Sequence, residues 1–192
     1  MTEWKSLTYV VVDLEGNGHQ PPDVVELAAV PIVDGIIGEP AEWLIRPDQP
    51  ITPFAQRIHG ISNEDVQHND TFADVMPSVR RALNADALIA HNAHVDVGIL
   101  QRKLGDWQCP EVFDTLKLAR RLLPGLPTYR LGALVEKFEL SNGLRGYDQP
   151  HRAPYDAIVT ARLFVHIAGR RTLEELRGTP AGGDPDDGPT LF

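Results

Sequence analysis

Asp13 and Glu15 stand two residues apart at the close of an apolar run over residues 7–14. On a strand, side chains two apart point to the same face. The two carboxylates therefore form a pair, on the face that also carries Tyr9 and Val11. Such a pair beside a core repels itself and is costly unless a cation neutralises it. Carboxylate oxygens are the preferred ligands of Mg²⁺ and Mn²⁺. Taken alone, the pair fits a solvent-facing strand end equally well. Asp96 closes the segment His91-Asn92-Ala93-His94-Val95-Asp96, where a short strand hands over to a helix. An acidic residue in a first helical turn is stabilised by the helix dipole without any further role. His91 and His94 would suit zinc, but a second histidine pair at fitting spacing is missing and Cys109 is the single cysteine, so no zinc site is expected. His151 and Asp156 stand five apart, with Pro154 between them. Proline is tolerated in a first helical turn, so Asp156 should begin a helix and His151 should sit on the loop before it. A loop histidine beside a carboxylate cluster suits general-base chemistry, because imidazole titrates near neutrality. Without the cluster it is a surface histidine.

The elements that must position these groups follow from apolar periodicity and turn chemistry. Residues 7–14 read as a strand ending at Gly16-Asn17-Gly18, and residues 24–33 as a second. Asp34-Gly35 is a hairpin signal, and residues 36–45 read as the return strand, irregular at Gly38 and Pro40. Residues 46–69, rich in Pro, Asn, Gln and Asp, read as a long loop with room for one helical turn. Thr71 with Asp74 resembles a capping box and starts a helix to about residue 84. A short strand at 87–90 and a helix at 92–104, stopped by Gly105, come next. Val112 and Phe113 suggest another strand, followed by a helix over 115–123 that Pro124 ends. Leu131, Leu134, Val135 and Phe138 mark one face of a helix. A last long helix covers about 155–169, and a short one 172–177. Three hairpin-type strands, then strands alternating with helices, argue for an α/β fold with a mixed sheet covered by helices. Residues 178–192 hold several Gly, Pro and Asp and little to bury, so a disordered tail is expected after a domain of residues 1–177.

The chain has 192 residues, enough for one domain with a sizeable core. A single cysteine rules out an intrachain disulfide and fits a reducing, cytoplasmic setting. The N-terminal apolar run 9–12 is too short for a signal peptide or a membrane span. The formal net charge of −9 argues against a non-specifically basic nucleic-acid binder. Asp184, Asp186 and Asp187 in the tail account for part of it, and bound cations would reverse the sign locally.

Three segments, Asp13-Leu14-Glu15-Gly16-Asn17-Gly18, His91-Asn92 through Asp96, and His151 through Asp156, resemble in order the three motifs of the DnaQ-like DEDDh exonuclease family. That family includes the proofreading subunit of bacterial replicative DNA polymerase, ribonuclease T and oligoribonuclease. Arg57-Ile58-His59-Gly60-Ile61-Ser62 resembles the family's loop after the third strand, and the likeness spans about residues 7–169. It implies a ribonuclease H-like fold with a mixed five-stranded sheet and a two-metal mechanism. On this resemblance Asp13, Glu15, Asp96 and Asp156 hold two divalent cations, Mg²⁺ or Mn²⁺, directly or through water, and His151 takes a proton from the attacking water. The product would be a 5′-mononucleotide from the 3′ end of DNA, preferentially single-stranded. The backbone of Leu14, Gly16, Asn17 and Gly18 would meet the terminal nucleotide, Asn92 would support the second motif, and His59 with Ile61 would help wall the pocket.

Gly16 and Asn17 replace the family's usual two threonines, and Val95 a usual phenylalanine. No metal or base position is lost, so the departures bear on substrate preference. RNA or short oligonucleotides are the alternative substrates, because discrimination rests on contacts near the 2′-position. A nucleic-acid-binding module with a silent site is the alternative of another class, opposed by the presence of all five catalytic positions. An acid–base pair acting on sugars would leave Asp96, His151 and Asp156 without a role. Arg57, Arg102, Lys103, Arg130, Arg145 and Arg152 are candidate phosphate contacts. The terminal Leu191-Phe192 resembles peptides that dock on a sliding clamp, though the usual glutamine is absent.

Overall fold

The computed structural model describes residues 3–147 and 149–178. Its sheet runs β3-β2-β1-β5-β6, with β4 paired to β2. The strands are β1 (Tyr9–Gly16), β2 (Val24–Val33), β3 (Ile36–Ile37), β4 (Ala41–Leu44), β5 (Ala87–Ala90) and β6 (Glu111–Asp114). The first four pair antiparallel, whereas β5 and β6 join β1 in parallel. The sheet thus has six strands where five were expected, because the return strand is split. Ile37 pairs with Ile32 and Ala41 with Ala29, so residues 38–40 oppose only residues 30–31. That extra residue is a bulge. Gly38 sits at it, donating its amide to the Pro31 carbonyl (2.8 Å) and packing so tightly on the Pro31 ring that a Cβ would lie 2.9 Å from Cγ.

The second difference lies in residues 46–69. Instead of a loop they carry α1 (Pro53–His59) and α2 (Asn63–Val66). Thr52 caps α1, with Pro53 in its first turn, and Ser62 with Asp65 closes a capping box on α2. Both signals stand in the sequence, but polar composition outweighed them. Ile51, Ala55, Ile61 and Val66 bury with Val25 as a small separate core, and this burial stabilises helices too short to persist alone.

The remaining helices are α3 (Phe72–Ala82), α4 (His94–Leu104), α5 (Thr115–Leu122), α6 (Leu131–Phe138), α7 (Ala153–Ala168) and α8 (Leu173–Arg177). Each matches its expected segment to within about two residues. Alternation along β1 divides the core. Tyr9 and Val11 face α5, α6 and α7, whereas Val10 and Val12 face α3 and α4. Among the described residues no helix is long and apolar enough to cross a membrane. Of the expected tail only Gly178 is described, as the C-cap of α8, and the Leu191-Phe192 clamp peptide falls outside the described residues.

β1 outruns its parallel neighbour. Its pairing with β5 covers only Tyr9 to Val11, while its pairing with β2 continues to Gly16. Asp13 and Glu15 therefore project past the carboxyl end of β5, beside the point where antiparallel pairing gives way to parallel. Open α/β sheets bind ligands at such crevices.

Candidate active site

Asp13 and Glu15 share the face of Tyr9 and Val11, as their spacing requires, and that face is covered by α7. Asp156, in the first turn of α7, meets them there. One carboxylate oxygen from each of Asp13, Glu15 and Asp156 lies within 4.8 Å of the others, and all three side chains are half-buried. Asp96 stands outside this trio, in the first turn of α4 and only 7% exposed. Among the neighbouring carboxylates it repels Asp13 most strongly, ahead of Asp156 and Glu15.

Burial and mutual repulsion hold these carboxylates far from their ordinary behaviour. Burial raises Asp13 well above the usual carboxylate range, and repulsion by Asp96, Asp156 and Glu15 adds to it. Burial, with Asp156 and Glu26, pushes Glu15 up to about 8. Asp96 rises to about 7, chiefly through burial, although backbone amides, including that of Leu14, pull it back. Asp156 rises to about 6 by burial, against the opposing influence of His151. Protein surroundings alone thus disfavour the ionised cluster at neutral pH. An all-oxygen donor set in that condition fits a hard divalent cation.

His151 lies on the loop before α7, exposed, with φ +61°. Its backbone amide donates to Asp156 Oδ2 at 3.1 Å, so the base candidate and a cluster carboxylate are tied together. Asn92 also has positive φ, +69°, and its amide donates to Asp114 Oδ1 at 3.1 Å. A cleft of about 960 Å³ runs beside His151 and Asp156, bordered by Thr128, Arg130 and Tyr155.

The candidate substrate loop is organised from within. Asn17 is buried. Its side-chain oxygen accepts from the amides of His19 (3.2 Å) and Asp23 (2.9 Å), and its amide group donates to the Gln49 carbonyl (3.2 Å). His59, also buried, bonds the Gly16 carbonyl through Nε2 (3.3 Å) and accepts the Ile61 amide at Nδ1 (3.0 Å). Ile61 is buried against Val25. Asn17, His59 and Ile61 thus support the loop from beneath. Leu14 and Gly16 are half-buried, and Gly18 is exposed. Gly18 has φ +85°, and a Cβ there would lie 3.0 Å from that of Ala55. Arg102 donates to the Pro22 carbonyl and Lys103 pairs with Asp23. These two candidate phosphate contacts are therefore engaged in holding the loop.

Three polar residues outside the motifs complete the site's frame. Glu26, 3% exposed on β2, pairs with Arg152 and accepts the Ala153 amide. The carboxylate of Asp114 receives the amides of Asn92 and Ala93 before α4 and of Leu116 at the start of α5. Asp23 holds the Asp48 amide at 2.7 Å. A lone glutamate within the apolar run 24–33 was the signal for Glu26, and an aspartate just ahead of a helix was the signal for Asp114. Both ring nitrogens of His91 have protein partners: Nδ1 meets the Thr115 hydroxyl (2.9 Å) and Nε2 the Tyr129 carbonyl (3.1 Å).

Fold and site together define a ribonuclease H-like nuclease with a carboxylate-rich centre. Residues 10–164 match the exonuclease family that includes ribonuclease T. The chain belongs to this family, the DnaQ-like DEDDh exonucleases. It is 37% identical over 157 residues to exodeoxyribonuclease 10 of Escherichia coli K12, covering 82% of this chain and 67% of that protein. It is 36% identical over 179 residues to the 3′-5′ exonuclease DinG of Bacillus subtilis, covering 90% of this chain but only 18% of that one. Exonuclease X, solved with 5′ overhanging duplex DNA, superposes with TM-score 0.71 at 35% identity, over 84% of this chain and 91% of that chain. The nuclease domain of 3′hExo shares the fold, with TM-score 0.68 at 18% identity over 84% of this chain and 92% of that chain.

Proposed function

We propose that this exonuclease removes nucleotides from the 3′ ends of DNA, preferentially single-stranded, and releases 5′-mononucleotides with the help of Mg²⁺ or Mn²⁺. The observation that carries the reading is the convergence of Asp13, Glu15 and Asp156 within 4.8 Å, with Asp96 repelling Asp13 and the His151 backbone bonded to Asp156. The relatives at 35–37% identity, exodeoxyribonuclease 10, the 3′-5′ exonuclease DinG and exonuclease X in its DNA complex, favour DNA and that direction.

Asp13, Glu15 and Asp156 would hold the cations, with Asp96 completing the set. When bound, divalent cations polarise phosphoryl oxygens and lower the pKa of an attacking water. His151 would accept the proton of that water as its oxygen attacks the terminal phosphorus. The bond from phosphorus to the 3′-oxygen of the preceding nucleotide breaks, and that oxygen leaves as the new 3′-hydroxyl, protonated from solvent. Gly18, which has no room for a side chain against Thr52 and Ala55, would fix the turn of the backbone that meets the terminal nucleotide. Asn17 and His59 would hold that backbone in place.

Digestion of 5′-labelled single-stranded DNA and RNA with Mg²⁺ or Mn²⁺, beside EDTA and Asp13→Ala, tests this. The expected result is a ladder shortening from the 3′ end, stronger on DNA and lost in both controls. A 5′-shortening pattern, or equal cleavage by Asp13→Ala, would sink it.

A further inference from the structure

Glu26 is a carboxylate in an otherwise apolar stretch of β2, between Val25 and Leu27, both fully buried. A charge in such a place is retained only if it is paired and hydrogen-bonded. Its partners come from far along the chain. Arg152 Nε reaches both oxygens, at 3.1 and 3.0 Å, Arg152 Nη2 bonds Oε1, and the Ala153 amide donates to Oε2 at 2.8 Å. These two residues are the N-cap and first residue of α7. Glu26 is also the direct cross-strand neighbour of Glu15. One side chain therefore ties the start of α7 to the strand pair that presents Asp13 and Glu15.

The tie leads to both functional groups of the third motif. The Arg152 carbonyl accepts the Asp156 amide at 3.0 Å, and Asp156 Oδ2 accepts the His151 amide at 3.1 Å. His151 holds a left-handed backbone, which persists only where its surroundings over-determine it. A guanidinium fork against a carboxylate fixes orientation as well as distance, which apolar packing alone would not.

We propose that Glu26 and Arg152 form a positioning pair that locks the His151 loop and the first turn of α7 onto the β1–β2 ribbon, presenting His151 and Asp156 as one unit to Asp13 and Glu15. Neither residue is catalytic. The proposal rests on the hydrolytic reading of the site, with His151 as its base.

The test compares wild type, Glu26→Gln, Arg152→Lys, the Glu26→Gln/Arg152→Lys double variant, and Glu26→Gln in a His151→Ala background. kcat and KM are measured on a 5′-labelled oligonucleotide with Mg²⁺, well below each variant's melting temperature, together with Mn²⁺ affinity. A buried core variant at the far end of β2, Ile32→Ala, controls for lost stability. Glu26→Gln and Arg152→Lys should each lower kcat by roughly ten- to a hundredfold, as outer-shell and misplacement defects do, with KM within about threefold of wild type. The double variant should lose no more than the worse single one. Glu26→Gln should cost less in the His151→Ala background than in wild type, the remainder acting through Asp156 and showing as weaker Mn²⁺ binding, and Ile32→Ala should keep its kcat. Wild-type kcat in either single variant, or a loss that simply multiplies with His151→Ala while Mn²⁺ affinity stays at the wild-type value, would overturn the pair while leaving the nuclease intact. If Glu26→Gln does not fold, Arg152→Lys, at a half-exposed position, decides by the same criteria. An inactive wild type under every metal would overturn the nuclease reading, and this proposal with it.

Discussion

The two halves of β1 meet opposite demands. Tyr9, Val10, Val11 and Val12 are buried and pack on both faces of the sheet. Tyr9 packs tilted or edge-on among Trp4, Phe113 and Phe164, with ring centroids 5.0–6.2 Å apart. One turn of the pleat later, the same backbone and the same alternation aim Asp13 and Glu15 into a cluster whose members repel one another. The apolar half stabilises the fold. The acidic half lowers its stability until cations arrive, and in return supplies the chemistry. A single strand thus shows how an active site stores unfavourable electrostatics on a scaffold rigid enough to hold them.

Substitutions should separate the halves. Asp13→Asn is expected to lower activity by about a thousandfold or more, while raising the melting temperature of the metal-free protein, because a repelled carboxylate is gone. A lowered melting temperature without metal would contradict the account of the acidic half. His151→Ala should cost about 10²–10⁴ in kcat, the usual range for a general base. Calorimetry should still find wild-type Mn²⁺ binding, since His151 is not counted among the ligands. Val11→Ala, in the apolar half, should remove about 2 kcal/mol of stability in denaturant unfolding and leave the rate per folded molecule near wild type. A large loss of kcat there would mean the halves are not separable.

The smallest effect is a pH dependence. Asp13, Glu15, Asp96 and Asp156 are all raised in the folded chain. The folded state therefore binds protons more tightly than the unfolded one. Their contribution to metal-free stability is fully present below the ordinary carboxylate range, and is lost as pH rises through about 6, 7 and 8, the values reached by Asp156, Asp96 and Glu15. Thermal melts in EDTA should fall across that window, each 1 kcal/mol reading as roughly 2–4 °C. Mg²⁺ should reverse the fall, with an increment that grows with pH. A melting temperature that rises from pH 5 to 8 in EDTA would mean that the acidic cluster does not destabilise the folded chain.

The order of most elements, the capped start of α3, and the strand, loop or helix setting of the five motif residues were legible in the sequence alone. These are local matters. A period of two places Asp13 and Glu15 on one face whatever the fold, and Pro154 opens a helix before Asp156 wherever that helix packs. Tertiary structure decided what depends on partners distant in sequence. The return strand divided because Gly38 had to settle against Pro31. Residues 46–69 folded into α1 and α2 because Val25 and its neighbours offered them a surface to bury. Asn17 and His59 became supports of the loop because Gln49, Asp23 and Gly16 came within reach. Glu26, a lone charge in an apolar run, acquired its meaning only when Arg152 arrived 126 residues later. Hydrogen bonds and ion pairs act over a few ångströms, and only the folded chain brings such groups that close.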